Sequence, residues 1–401
     1  MQRFKFLLLQ KLDGRMGLSI LSIAFTRRLR RLLRRPVHVK VVNGFSTNEP
    51  LETEANKVII DRLIEFWNSM QELSTVDKSE TSVWTAIQEQ QDYFHDLMGE
   101  GNYRNIYEYL SSAPTQTISR GILQGDTETL MLRINPSYKK LQSRILINRF
   151  VSLLEGIGSS QPTQNPEQGL WGINRDYDFK AALFALDEEF GFTVLSPNIY
   201  SGLFFTNIGG RNFNQVDIMA LNASLEIRKI LEKSSKKSVV EIGAGSGMTA
   251  YWCNRLGLGP IQLIDLPHVA VLQAFYLLKT LPNAKIFLYG EDPVSDADIT
   301  IFPNWASREL PIQSSELVFN QDSFAEMSYE VVDSYLKWIV EIRPKYLLSI
   351  NHESEAAYGQ KLVAQVNISN LIRRNSMFET ISRYPNWIRT GYIDQIWKIK
   401  N

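Results

Sequence analysis

Three glycines alternate at the end of a β-type run in the segment SVVEIGAGSGM, residues 238–248. Glycine lets a backbone approach a ligand closely and adopt a positive φ angle, so Gly243, Gly245 and Gly247 predict a ligand-binding loop. Glu241 stands two residues before the first of them. The loop alone does not name the ligand, because several kinds of nucleotide site use such glycines.

Two common nucleotide-binding loops do not fit this segment. A P-loop needs a lysine directly after its last glycine, and no lysine follows here. A dinucleotide-binding loop needs a glycine at the position of Met248. The pattern that remains, E-x-G-x-G-x-G, resembles motif I of Rossmann-like S-adenosylmethionine methyltransferases. There the acidic residue, here Glu241, helps to order the loop or contacts the amino group of the ligand.

A second acidic residue, Asp265, ends the next β-type run in IQLIDLPHV, eighteen residues past the last glycine. A carboxylate at this place can accept hydrogen bonds from both hydroxyls of a ribose, in dinucleotide and methyltransferase folds alike. The adjoining Leu266 is assigned to the same cofactor site. Glu291 or Asp292, in the segment GEDP after the third run, is predicted to contact adenine, and Asn320, after the fourth run, completes the set.

Three segments together resemble the family of bacterial sugar O-methyltransferases: EIGAGSGMTAYW, LIDLPHVAVLQAFYLL and LVFNQDSFAEM. Members of that family resemble each other in an E-I-G-x-G-x-G loop, an I-D-L-P turn and an N-x-x-S-F-x-E-M segment, which occur here in that order. The resemblance covers about residues 235–355 and is only general over the N-terminal half. It implies S-adenosylmethionine as methyl donor and a saccharide hydroxyl as acceptor, in the assembly of surface polysaccharides or natural products.

Methylation of a sugar hydroxyl calls for a base that takes the proton as the new C–O bond forms, besides alignment of the reactants. Two polar clusters, NQDSFAEM and SINHES, follow the fourth and fifth β-type runs. We predict His352 as the base, because the near-neutral pKa of histidine suits this role; a helix cap is its structural alternative. Glu326 is the second candidate, and Asp322 would share its face of a helix.

A metal site is not favoured. Asp322, Glu326 and Glu353 could together bind Mg²⁺, which acidifies hydroxyls in some enzymes, but nothing in one sequence brings them together. The four histidines form no zinc pattern. The single cysteine, Cys253, is predicted to be a buried helix residue, and a chain with one cysteine has no internal disulfide, which favours the cytoplasm.

The acceptor is predicted to lie under the N-terminal half of the chain. The segment NIYSGLFFTNIGGR, residues 198–211, combines aromatic residues with glycines and could close over a sugar as a lid. Tyr200, Phe204, Phe205 and Arg211 are its candidate contacts. The alternative is a pair of strands packed in the core.

The elements that must position these residues change in character along the chain. Helical spacing of apolar residues predicts helices over about 53–110, 138–154 and 215–232, with a Gly/Pro-rich connection at 156–172. After residue 236, five short β-branched runs alternate with helices, and two further runs end the chain as a hairpin with one antiparallel member. This alternation predicts a parallel sheet covered on both faces.

The first forty residues carry eleven Lys or Arg and one acid, whereas the whole chain of 401 residues has no net charge. A basic amphipathic segment of this kind can lie on an anionic membrane surface, and a solvated tail is the alternative. No apolar run reaches the length of a membrane span, and the charge follows the apolar stretch, unlike a signal peptide. Nucleic acid is not expected as a partner.

The sequence therefore predicts three parts: a basic segment at 1–40, a mainly helical acceptor or lid region at 41–232, and a seven-stranded Rossmann-like methyltransferase domain at 233–401. The predicted function is S-adenosylmethionine-dependent O-methylation of a sugar hydroxyl, on a glycan or its lipid-linked precursor. A methyltransferase for another small acceptor and a non-catalytic S-adenosylmethionine-binding scaffold remain as alternatives.

Overall fold

The computed structural model describes residues 42–47, 53–72, 91–160, 178–292, 296–310, 315–354 and 366–400. The basic segment predicted for 1–40 lies outside these residues, as does most of the Gly/Pro-rich connection at 156–172. No helix in the described ranges is long and apolar enough to cross a membrane.

Helices dominate the chain up to residue 231, as the apolar spacing predicts. In α1, five buried apolar residues recur every three or four positions and give the helix one packed face. Side-chain caps fix several helix starts; Asn214 and Asp217, for example, form a reciprocal capping box at the start of α7. The helices are α1 (Glu54–Glu72), α2 (Asp92–Glu100), α3 (Tyr103–Ser111), α4 (Gly125–Ile134), α5 (Pro136–Gly156), α6 (Phe179–Phe190) and α7 (Gln215–Leu231).

Three short strands in this region form a small antiparallel sheet in the order β1-β2-β3. They are β1 (Val42–Phe45), β2 (Phe204–Ile208) and β3 (Arg211–Phe213). The segment predicted as a lid or as a core-packed strand pair therefore folds as a hairpin. Its lid alternative is incorrect for Tyr200, which is fully buried and stacks on Tyr276, and for Arg211, which pairs with Asp187.

The C-terminal region is an eight-stranded sheet with helices on both faces. The strands are β4 (Val239–Ile242), β5 (Ile261–Asp265), β6 (Ile286–Leu288), β7 (Ile299–Pro303), β8 (Leu317–Gln321), β9 (Tyr346–His352), β10 (Phe378–Pro385) and β11 (Tyr392–Ile399). The helices are α8 (Met248–Arg255), α9 (Pro267–Thr280), α10 (Ser323–Glu326), α11 (Tyr329–Ile342) and α12 (Ile368–Arg374).

The strand order is β10-β11-β9-β8-β4-β5-β7-β6. Pairing is parallel from β9 through β6, whereas β11 runs antiparallel to both of its neighbours. This mixed α/β architecture with a parallel-dominated sheet agrees with the predicted fold class.

The strand count differs from the prediction of seven by one, because β7 is absent from it. The apolar part of β7 is the four-residue run ITIF, bounded by acidic residues and by Pro303, which is too short to stand out in the sequence. The extra strand matters for the site, because β7 and not β6 lies beside β5. The residues that follow β6 are therefore one strand further from β5 than the sequence predicts.

The helical region and the sheet share one continuous cluster of buried apolar side chains. Tyr107 of α3 packs edge-on against Phe275 of α9, with ring centroids 6.1 Å apart. Arg62 of α1 forms a two-pronged ion pair with Glu291, just after β6. The helical region is therefore packed directly on the sheet domain, over the edge where the predicted site residues lie.

Candidate active site

The glycine loop follows β4 and leads into α8. Gly243, Gly245 and Gly247 all have positive φ angles, of 68°, 56° and 76°, which other residues rarely adopt. Gly243 is also sterically confined: a Cβ atom there would clash with Ser323 Oγ and lie 2.5 Å from Ser323 Cβ. Its backbone is therefore held against the start of α10.

Asp265 ends β5 and holds the loop in place. Its Oδ2 accepts hydrogen bonds from the backbone N–H of Gly245 at 2.9 Å and from Gln273 Nε2 at 2.8 Å. Its Oδ1 accepts the backbone N–H of Leu266 at 2.8 Å. The side chain thus links two strand ends to α9, and at most one of its roughly four lone-pair sites remains for a ligand.

The site is acidic: the Glu241 carboxyl is buried and that of Asp265 is half-buried. Desolvation raises the pKa of Glu241 to about 8, with the nearby charge of Asp265 adding to the shift. Desolvation likewise raises the pKa of Asp265 to about 7, although hydrogen bonds from backbone N–H groups oppose the shift. Two carboxyls with raised pKa values would be stabilised as carboxylates by a cationic ligand.

These groups line a cavity of about 390 Å³, within the size range of small-molecule sites. Glu241, Gly243, Gly245, Asp265 and Leu266 contribute from the sheet domain. Contributions from the helical region include Ile122, Leu123, Gln124, Phe204, Gln215 and Met219. Gly247 is not in the lining; it begins α8 and packs towards Leu277.

The predicted adenine contacts lie elsewhere. Glu291 pairs with Arg62 and accepts the backbone N–H of Leu288, and neither it nor Asp292 lines the cavity. The reason is the unpredicted strand β7, which places the residues after β6 one strand further out. Asn304, the residue directly after β7, lines the cavity instead.

Asn304 is a site residue that the sequence analysis missed. Its Oδ1 is buried and has no hydrogen-bond partner among the described residues. A buried polar atom without a partner is costly, so this oxygen is a place where a ligand donor would be stabilised. Only its position directly after a β-type run could have predicted this role from the sequence, and that run is too short to be identified as a strand.

Asn320 does not reach the cavity, contrary to its predicted role. Its Nδ2 donates to the Ile242 carbonyl at 2.9 Å and to Ser323 Oγ at 2.6 Å, and its Oδ1 accepts from Asn351 Nδ2 at 2.9 Å. The side chain is fully buried. It joins the ends of three adjacent strands and so acts as a structural link under the site.

Asp322 and Glu326 both line the cavity, as their spacing suggests. Asp322 has an unusual positive φ of 69°, and both of its oxygens accept from Arg389 Nη1, at 2.6 and 2.5 Å. Arg389 lies in the link of the terminal hairpin and is itself in the lining. The sequence gives no sign that the hairpin link returns to the site.

His352 does not line the cavity, so the structure does not support it as the base. Strand β11 lies beside β9, and Tyr392 is the direct pairing partner of His352. The two rings pack edge-on at 5.6 Å, and the histidine Nδ1 accepts the backbone N–H of Ser354. Burial lowers the pKa of His352. The contacts that the structure shows for His352 are thus with Ser354 and Tyr392.

The predicted magnesium ligands are not brought together. Glu353 forms a two-pronged ion pair with Arg383, at 2.5 and 2.6 Å, and contacts Ser369. It does not line the cavity with Asp322 and Glu326. No group of three His, Cys, Asp or Glu side chains within the described ranges has the arrangement of a metal site. Cys253 is buried in α8, which confirms the prediction of a buried helix residue.

The fold and this cavity define a Rossmann-like α/β protein with an acidic small-ligand site at the carboxyl ends of its parallel strands. No protein-family model matches the chain, and no curated protein is found to match it.

The chain is similar to solved structures of methyltransferases at low identity. A SAM dependent methyltransferase from Aquifex aeolicus has 17% identity and a TM-score of 0.31, over 44% of this chain and 90% of that chain. An S-adenosylmethionine dependent methyltransferase from Mesorhizobium loti has 12% identity and a TM-score of 0.32, over 43% and 96%. A Burkholderia thailandensis 1,6-didemethyltoxoflavin-N1-methyltransferase has 16% identity and a TM-score of 0.32, over 45% and 77%. Similarity this remote supports no inference about the reaction.

Proposed function

We propose that the protein is an S-adenosylmethionine-dependent methyltransferase. One observation carries the proposal: the carboxyls of Glu241 and Asp265, with raised pKa values, lie beside a loop of three glycines at the carboxyl ends of β4 and β5. A cation would stabilise both groups as carboxylates, which favours a cationic nucleoside as ligand. S-adenosylmethionine fits this demand, and it supplies a methyl group that its sulfonium has already activated.

The residues that would hold the cofactor follow from their remaining hydrogen-bonding capacity. Asp265 would accept from one ribose hydroxyl, and Glu241 would balance the ammonium group. The buried, unpartnered Oδ1 of Asn304 would accept from the amino group of adenine. The helical region lies against the glycine loop: Ile122 Cγ2 would be 3.5 Å from a Cβ atom built on Gly245. This packing would exclude water from the reacting atoms.

The acceptor is proposed to be a hydroxyl of a saccharide, in keeping with the resemblance of three segments to sugar O-methyltransferases. Glu326 is the proposed base, because it lines the cavity whereas His352 does not. It would take the hydroxyl proton as the C–O bond forms. Phe204, also in the lining, offers an aromatic face to the C–H groups of a sugar ring. Another small acceptor is the alternative that this geometry also accommodates.

A lipid-linked acceptor would bring the protein to an anionic membrane surface through residues 1–40. The described chain offers one supporting feature. Leu130, Ile134 and Leu141 are exposed on α4 and α5, and the exposed Arg144 lies on α5 as well. Apolar and basic side chains together suit a membrane interface. Sedimentation with anionic vesicles, with and without residues 1–40, tests this; identical sedimentation of the two proteins would remove the proposal.

The central experiment separates cofactor binding from turnover. Calorimetry with S-adenosylmethionine, S-adenosylhomocysteine and NADH should show binding of the first two and not of the third. Transfer of a labelled methyl group to a panel of saccharides and sugar nucleotides then identifies the acceptor. With that acceptor, Glu326→Gln should lower kcat by roughly 100-fold or more and leave cofactor affinity unchanged.

The matched control is Glu330→Gln, an exposed carboxylate on α11 that should alter neither quantity. If no acceptor is methylated although the cofactor binds, the protein is better explained as a non-catalytic S-adenosylmethionine-binding scaffold. If neither S-adenosylmethionine nor S-adenosylhomocysteine binds to folded protein, the proposed function is wrong.

A further inference from the structure

Arg149 of α5 lines the cavity without an acidic partner. Its Nη1 donates to Gln215 Oε1 at 2.9 Å and lies 3.6 Å from Met219 Sδ. Burial, together with the neighbouring charge of Arg389, lowers the pKa of this guanidinium to about 10. The group remains cationic at neutral pH, yet its contacts are a neutral amide and a thioether.

Seven other arginines in the described ranges form ion pairs with carboxylates: Arg62, Arg104, Arg120, Arg211, Arg228, Arg383 and Arg389. Arg389, the other arginine that lines the cavity, is one of them. No carboxylate within the described part of the chain lies within ion-pair distance of Arg149. A half-buried charge without a counter-charge is incompletely stabilised, so an anion entering the cavity would be stabilised there.

The nearest carboxylate does not fill this need. Asp322 attracts Arg149 at longer range, but both of its oxygens are taken by Arg389. Two guanidinium groups therefore share one carboxylate at the hairpin end of the cavity. Glu128 and Glu326 also line the cavity, but burial raises the pKa of Glu128, which is hydrogen-bonded by Tyr138. Arg149, Arg389 and Asp322 together carry one net positive charge, and these three side chains form the positive corner of the cavity.

This positive corner is separate from the nucleoside end. Asp265 ends β5 and Asp322 follows β8, two strands away in the sheet, which is about 10 Å at the usual strand spacing. A planar guanidinium with unused N–H donors matches the oxygens of a carboxylate or a phosphate.

We propose that Arg149, beside the Arg389–Asp322 pair, binds an anionic group of the methyl acceptor. This inference rests on the proposed function and narrows its substrate class to a saccharide that bears a carboxylate or a phosphate, such as a uronic acid or a sugar phosphate. The positive corner holds the charged group, and the hydroxyl to be methylated then lies within the same cavity as Glu326.

The test uses the full-length protein saturated with S-adenosylhomocysteine. Inorganic phosphate and acetate are titrated as separate probes, which distinguishes the two anion chemistries. The wild-type complex should bind at least one of them, and Arg149→Gln should weaken that binding by roughly 10-fold or more, with partial recovery in Arg149→Lys. The control Arg144→Gln, exposed on the same helix, should behave as wild type.

The affinity for S-adenosylhomocysteine is measured for each variant. It should change less than about twofold in Arg149→Gln, a difference worth about 0.4 kcal/mol. An equal loss of cofactor affinity would assign Arg149 to the carboxylate of the cofactor and overturn the inference. Absence of phosphate and acetate binding by the wild-type complex would overturn it too, while leaving the proposed function intact.

Once cofactor binding is established, the acceptor panel gives a second readout. Glucose, glucuronate and glucose 1-phosphate differ in the presence and kind of anion. The charged acceptors should be preferred by the wild type, and Arg149→Gln should raise their KM more than it lowers kcat. A preference for neutral glucose would contradict the inference. If S-adenosylhomocysteine fails to bind but the anions do, the proposed function fails and the anion site stands.

Discussion

The carboxylate of Asp265 accepts the backbone N–H of Gly245 at 2.9 Å, which ties the end of β5 to the glycine loop after β4. Sequence spacing predicts that both residues contact a nucleoside, and this bond shows that the carboxylate holds the loop in place. We therefore expect Asp265→Asn to lower the affinity for S-adenosylhomocysteine by roughly 10- to 100-fold, the cost of a lost charged hydrogen bond. Calorimetry measures the effect.

Asp298 provides the control for this substitution. It also accepts a backbone N–H with its side chain, from Lys285 at 2.8 Å, but just before β7, at the opposite end of the sheet. Asp298→Asn should leave cofactor affinity unchanged. Equal losses in the two variants would mean that the effect at Asp265 is one of general stability.

Binding of a cationic cofactor should release protons. Burial raises the pKa of Glu241 to about 8 and that of Asp265 to about 7, so at pH 7 the free site is partly protonated. A cation favours the carboxylates and lowers both pKa values. Affinity for S-adenosylmethionine should therefore rise between pH 6 and pH 8.5, and the binding enthalpy at pH 7 should depend on the ionisation enthalpy of the buffer. Glu241→Gln should reduce this dependence; an unchanged dependence would rule Glu241 out as the source.

The close approach of Gly243 to Ser323 makes a steric prediction. Gly243→Ala combines a positive φ with a clash against Ser323, so it should lower both the melting temperature and cofactor affinity. Gly391→Ala is the control, because Gly391 has a positive φ of 91° and open space around it; it should cost only about 1 kcal/mol of stability. Adding Ser323→Gly to Gly243→Ala should restore part of the loss. No recovery in the double variant would show that backbone strain alone is responsible.

Asn304 should accept a hydrogen bond from the amino group of adenine and so favour adenine over hypoxanthine. Its unpartnered Oδ1 is an acceptor, and S-inosylhomocysteine carries an oxygen where S-adenosylhomocysteine carries that amino group. The wild type should prefer the adenosyl compound, and Asn304→Ala should reduce the preference by roughly 10-fold. Competition between the two compounds measures it. A preference that survives in Asn304→Ala would place adenine elsewhere.

Two arginines of the terminal hairpin allow a matched comparison. Arg389 pairs with Asp322 in the cavity, whereas Arg383 pairs with Glu353 outside it. Arg389→Ala should lower kcat with the identified acceptor by at least 10-fold, because it frees Asp322 and removes a charge from the site. Arg383→Ala should leave kcat within about twofold while costing some stability. Equal effects on kcat would show that the hairpin matters only as a unit.

The residues of the glycine loop could be predicted from the sequence because their chemistry is local. Positive φ angles at Gly243 and Gly245, and the place of Asp265 at the end of a β-type run, depend on residues within a few positions. The α/β class followed from the alternation of short apolar runs with helices, and Cys253 was expected to be buried in the helix that follows the glycine loop. The glycine conformations, the fold class and the burial of Cys253 do not depend on the order of the strands in the sheet.

The other features of the candidate site depend on pairing between strands that are distant in the sequence. The four-residue run of β7 inserts beside β5, so it moves Glu291 away from the cavity and brings Asn304 to it. The antiparallel strand β11 covers His352 with Tyr392, and its hairpin link returns Arg389 to Asp322. Arg149 reaches the same cavity from a helix far away in the chain. Strand order and cross-chain charge pairs depend on contacts between distant segments, and local patterns of residue type carry no record of them.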